Sequence, residues 1–124
     1  MSGASPAAVV QRQLDAYNAR DLDAWLATYH PDAEQFELHG PLLARGREAI
    51  ASRMRERFAE PNLHATLLSR TVLGSLVVDH ERVTRTFPEG PGSVEMLCLS
   101  DVDGDVIVKA SFRLGARTLT APRS

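Results

Sequence analysis

The apolar pattern changes character at Pro61-Asn62, and that change bounds the fold. Before it, apolar residues recur mostly at helical spacing. After it, they lie in extended, β-branched runs separated by short turns. Helices first and an antiparallel meander after is the order of an α+β domain. A chain of 124 residues fits one such domain, burying about two-thirds of its unfolded surface around a single core.

Ser5-Pro6 reads as an N-cap followed by proline at the first helical position. Val10, Leu14 and Tyr17 form the apolar stripe of this first helix, with Gln13 on its edge. Asn18-Ala19-Arg20 ends it. Asp21 caps a short second helix whose buried face is Leu22, Trp25, Leu26 and Tyr29, and His30-Pro31 stops it. Glu34–Leu38 is a strand, His39-Gly40-Pro41 a turn, and Leu42–Ala44 a short return strand. A third helix spans Gly46–Phe58, with Ile50, Met54 and Phe58 at spacing four.

Long strands follow at Leu63–Leu73, Leu76–Phe87, Val94–Val102 and Val106–Leu114. Gly74-Ser75, the loop Pro88–Gly92 and the hairpin turn Asp103-Gly104 join them. The expected architecture is a conical, curved β-sheet, antiparallel or mixed, covered by three helices that leave a hollow. Residues 1–115 form one domain, and 116–124, which lack periodicity, form a flexible tail.

A net charge of −2 gives no reason to expect nucleic acid or an anionic membrane surface as partner. No apolar run approaches the roughly 20 residues of a membrane span. Cys98 is alone, so no internal disulfide forms, and the opening MSGASPAA lacks the features of a secretion leader; the expectation is a cytoplasmic protein. His30, His39, His64 and His80 show no metal-ligand spacing, and no cofactor motif is present. The arginines of the third helix read as a solvated face.

NARDLDAWLATYHPDAE, the later GREAI and the closing DGDVIVKASFRL, in the order α-α-β-α-β-β-β-β, resemble the nuclear transport factor 2-like superfamily. Within it the chain is most similar to the SnoaL-like branch, related to ketosteroid isomerase, over about residues 8–114. The resemblance implies the cystatin-like cone and a pocket for a small apolar molecule. The fold hosts enzymes and non-catalytic modules alike. The isomerase uses two acidic hydrogen-bond donors and a carboxylate base. The donor tyrosine falls on Gln13, and the protonated acid on Leu97, or on Cys98 with a one-residue shift. Neither side chain can serve, so steroid isomerisation is not expected. The base falls on Glu37 when the second helix is aligned without a gap.

Alternation opens a second register. Phe36 and Leu38 share one strand face; Gln35, Glu37 and His39 share the other. Burying two large apolar groups is favourable by about 1.5–3 kcal/mol each, whereas burying an unpaired carboxylate is costly. On that balance Phe36 and Leu38 face the interior, Glu37 is largely exposed, and Leu38 takes the base position.

Other residue types supply candidate chemistry. In Asp79-His80-Glu81-Arg82, alternation sets Val78, His80 and Arg82 against Val77, Asp79, Glu81 and Val83. His80 is a candidate base near neutral pH, unless its face is the solvated one. Glu95 shares a face with Leu97 and Leu99 and is a candidate acid at the cavity mouth. Gln13, Tyr17, Trp25, Tyr29, Phe36, Leu38, Phe58, Leu97 and Phe112 are the expected pocket wall. In the last strand Val106, Val108, Ala110, Phe112 and Leu114 suit the cavity. Ile107, Lys109, Ser111 and Arg113 suit an outer face that meets a two-fold copy in a homodimer. The resulting expectation is a pocket for a small apolar ligand. The alternative is an isomerase-, cyclase- or hydratase-type enzyme that shuttles a proton through Glu37, His80 or Glu95.

Overall fold

The structure is a computed structural model and describes residues 5–120. Residues 1–4, part of the opening read for a leader, and 121–124, the end of the expected tail, lie outside the described residues. Helix α1 spans Pro6–Asn18 and α2 Leu22–Ala27. The Ser5 hydroxyl accepts from the Ala8 amide at 3.1 Å, and the Asp21 carboxylate from the Ala24 amide at 3.0 Å. Both satisfy donors that a helix start leaves orphaned. Tyr29 already belongs to strand β1, Tyr29–Glu37. β2 is Leu42–Arg45, and α3 is Arg47–Phe58. The remaining strands are β3 (His64–Leu73), β4 (Leu76–Phe87), β5 (Gly90–Asp103) and β6 (Val106–Leu119).

The six strands make one open sheet in the order β2-β1-β6-β5-β4-β3. β1 pairs with β6 in parallel and all other neighbours are antiparallel, so the sheet is mixed. The helices pack on its inner face around Val9, Trp25, Ile50, Phe58, Val77 and Ile107. Asn18 ties α1 to β3: its side-chain amide donates to the Ala65 carbonyl at 2.9 Å and accepts from the Ala65 amide at 2.7 Å. The Arg47 guanidinium donates to the Tyr29 carbonyl and so ties α3 to the start of β1.

Three expectations need correction. First, strand β6 runs on through Leu119, where the sequence predicts a tail. Val94 pairs with Arg117, Ser93 with Thr118 and Gly92 with Leu119. A Cβ on Gly92 would lie 2.6 Å from the Thr118 carbonyl oxygen, so only glycine admits this closeness. Polar side chains on a two-sided edge hide the strand from a periodicity reading.

Second, Ile107 is core, at 0% exposure, although strict alternation sends it outward. Asp101 pairs with Lys109 but Val102 with Ile107, leaving Val108 as an extra residue. This bulge lets Ile107 and Ala110 both point inward.

Third, Phe36 lies on the outer face, with the Lys109 ammonium 5.1 Å from its ring centre. The inward residues of β1 are Tyr29, Ala33 and Gln35, the last only 1% exposed. The burial balance failed because Gln35 is not an unpaired polar group: Tyr29 and Arg53 satisfy its amide. Leu38 lies past the end of the strand, half-buried, its amide donating to the Phe112 carbonyl at 2.8 Å.

Candidate functional site

Between the helices and the inner face of the sheet lies a cavity of about 460 Å³. Of the expected wall, Gln13, Tyr17, Trp25, Tyr29, Leu38 and Phe112 line it. Phe58 stands behind the wall, its ring 5.4 Å from Tyr17 and 5.3 Å from Trp25 between centroids. Phe36 and Leu97 are on the outer face and take no part. Glu37 lines the mouth. It is exposed because it stands at the rim, and it lies on the inward side of β1.

His80 and Glu95 do not reach the cavity. They face away on the outer side of the sheet, joined to each other at 2.7 Å. The reason is parity. Val77, Asp79, Glu81 and Val83 are the buried row of β4, which turns His80 and Arg82 outward and, across the ladder, Glu95 with them.

The same parity brings in a residue that the search for candidates passed over. Glu81 lines the cavity and is 8% exposed. Burial first, and then the neighbouring Asp79 carboxylate, pushes its carboxyl up to about 7. Arg70 makes no bond to Glu81, because it donates to both Asp79 oxygens, at 2.7 and 2.9 Å. Glu81 is therefore a carboxyl poised to exchange a proton near neutral pH inside a largely apolar hollow. The signal was in the sequence: two valines flank the Asp79–Glu81 face and one the His80 face.

At the floor, Arg53 donates to the Gln35 amide oxygen at 2.7 Å. Arginine has no acceptor, so this fixes the amide. Its nitrogen then donates to the Tyr29 hydroxyl at 3.1 Å. The Tyr29 oxygen accepts that bond and its own proton is left to donate. Burial raises the Tyr29 hydroxyl well above the ordinary value and the Tyr17 hydroxyl to about 12, so both stay protonated as donors. Cys98 also lines the cavity, its thiol pushed up to about 12 chiefly by burial, which leaves it unreactive. Arg53 and Arg57 of α3 complete the polar part of the wall, though the sequence reads them as a solvated face. No cluster of metal-ligating side chains occurs among the described residues.

The SnoaL-like domain family matches residues 10–109, and the chain belongs to that family. No curated protein sequence matches it. Among solved structures it is similar to an uncharacterised cystatin-fold protein of Novosphingobium aromaticivorans, 25% identical, with a TM-score of 0.81 over 90% of this chain and 99% of that one. It is also similar to a hypothetical ketosteroid isomerase-like-fold protein of Catenulispora acidiphila, solved in complex with trimethylamine. That one is 19% identical with a TM-score of 0.74, over 89% of this chain and 86% of the other. An NTF2-like protein of unknown function from Burkholderia pseudomallei is 14% identical, with a TM-score of 0.78 over 90% of this chain and 92% of that one. The cone is thus the nuclear transport factor 2-like fold. No helix among the described residues is long and apolar enough to cross a membrane.

Proposed function

We propose that this SnoaL-like domain binds a small, largely apolar molecule inside the cone. The observation that carries the reading is the cavity of about 460 Å³, within the size range of small-molecule sites, walled by Leu14, Trp25, Met54, Met96 and Phe112. Trp25 in the wall makes binding measurable by its own fluorescence. Saturable quenching by an apolar aromatic probe is expected, and Met96→Phe, which narrows the hollow, should weaken it while the far-ultraviolet dichroism stays native. A wild-type protein that shows no saturable binding to any probe of this size removes the reading.

A second reading, an isomerase-, cyclase- or hydratase-type enzyme, is favoured by one observation. Glu81 is a buried carboxyl that titrates near neutrality and faces the same hollow as the Tyr29 hydroxyl. In that reading Glu81 moves the proton and Tyr29 stabilises charge on a ligand oxygen. Glu37, at the mouth, is a further candidate proton carrier. Steroid isomerisation itself is disfavoured. Gln13 is a neutral donor, Leu97 faces outward, and the Cys98 thiol is a weak donor.

We also infer a homodimer formed through the outer sheet face. Half-buried Phe36, Leu76 and Leu99 line a shallow hollow there, and Leu97 is 37% exposed beside it. Such an apolar surface suits a second copy of itself. Sedimentation that finds only monomer at high micromolar concentration overturns this inference.

A further inference from the structure

We propose that the ligand of this cavity is a small apolar carboxylic acid, bound as its anion by the guanidiniums of Arg53 and Arg57 on α3. The proposal rests on the ligand-cavity reading and names the class of molecule the cavity takes.

Arg53 and Arg57 are four residues apart on α3, hence on one helical face, and both line the cavity. Arg85 stands further along the inward row of β4, outside the cavity lining, and adds its charge to that of Arg57. Its Nε is the one buried side-chain nitrogen or oxygen without a hydrogen-bond partner among the described residues. A buried donor left unpaired is costly, so this side of the fold is short of acceptors. Arg85 is also held in place, its guanidinium 4.8 Å above the Phe87 ring, with Arg117 over the same ring at 4.7 Å.

None of Arg53, Arg57 and Arg85 makes an ion pair among the described residues. Two acids share the cavity, Glu37 at its mouth and Glu81 on β4, and neither pairs with these arginines; Glu81 keeps its proton up to about 7. Glu60 accepts from the Thr86 hydroxyl at 2.9 Å and the Asn62 amide at 3.2 Å, and Glu89 pairs with Arg117 at 2.8 Å. Burial, and then the proximity of Arg57, lowers both Arg53 and Arg85 from their ordinary value. Arg57 repels both Arg53 beside it and Arg85, and a bound anion relieves that repulsion. The Tyr17 hydroxyl lies within the field of Arg57 and Arg85 and remains protonated, so it adds a neutral donor. An anion seated there leaves the apolar body of the ligand against Trp25, Met54 and Met96. A planar carboxylate matches the guanidinium fork.

The test uses three probes of one shape: naphthoate, its carboxamide and naphthylmethylamine. Each is titrated by Trp25 fluorescence and calorimetry at neutral pH and low salt. Naphthoate is expected to bind the wild-type protein roughly tenfold or more tightly than the carboxamide, as charge-assisted hydrogen bonds allow. Arg53→Met and Arg57→Met should each shrink that preference, while native far-ultraviolet dichroism shows that the variants are folded. Equal affinity for naphthoate and carboxamide, a preference for the amine, or a preference for naphthoate untouched by both substitutions overturns the proposal while leaving the cavity a ligand site. Absence of binding by all three probes overturns both readings together.

Discussion

Arg70 holds both oxygens of Asp79 and leaves Glu81, two residues along the same strand, without a cation of its own. Two carboxyls thus share one guanidinium, and the one facing the hollow gives way by keeping its proton. The groups around it are Asp79 on its own strand, Arg70 on β3, Cys98 on β5 and Tyr17 on α1.

This arrangement has a pH signature. The folded state holds the Glu81 proton more tightly than the unfolded chain, whose ordinary value is 4.5. The resulting stabilisation is fully present below that ordinary value and is lost as pH rises through about 7. This stabilisation amounts to at most roughly 3.5 kcal/mol at about 1.4 kcal/mol per pH unit. Glu81→Gln should therefore unfold at higher urea than wild type in alkaline buffer, with the advantage shrinking as the buffer is acidified. Parallel stability curves for the two proteins across that range would contradict the assignment.

Asn18 replaces a missing strand partner for β3, so its loss leaves two backbone groups of buried Ala65 unpaired. Asn18→Ala should destabilise by about 1–3 kcal/mol in urea titration. Asn18→Asp restores only the accepting half of the pair and should fall between the two. An alanine variant as stable as wild type would show that water replaces the amide fully.

Ile107 and Phe36 exchange the roles that simple alternation gives them. Ile107→Ala should cost about 2–5 kcal/mol as a core truncation. Phe36→Ala should cost clearly less within the protomer and act mainly on self-association, read by sedimentation. Equal losses of monomer stability would place Phe36 inside after all.

Glu37 at the rim has no fixed partner among the described residues, so Glu37→Gln should change stability by no more than about 0.5 kcal/mol. Ketosteroid isomerase turnover should be absent or very slow, since losing a single strong oxyanion donor costs about 10²–10³ in rate and both positions lack one. Turnover comparable to that of an efficient isomerase would mean that other groups, Tyr29 first among them, supply the donors.

Much of the fold was legible because local chemistry writes it. The caps at Ser5 and Asp21 and the turn at Asp103-Gly104 depend on residues within a few positions of each other, whereas the second helix ends at Ala27 and the expected stop, His30-Pro31, lies inside β1. The site was half legible. Tyr17, Trp25 and Phe112 follow from apolar periodicity, but His80 and Glu95 were favoured for their chemistry on a face that parity turns outward.

The sequence by itself determined most of the helix and strand segments and their order, since these rest on periodicity and near-neighbour hydrogen bonds. Only the tertiary structure decided which face is inside. That choice depends on partners far along the chain: Arg53 and Tyr29 make Gln35 cheap to bury, and the bulge at Val108 resets the parity of β6. Arg70 fixes Asp79 and so sets the charge of Glu81. A buried polar group is tolerated or excluded according to what meets it in space, which no local pattern records.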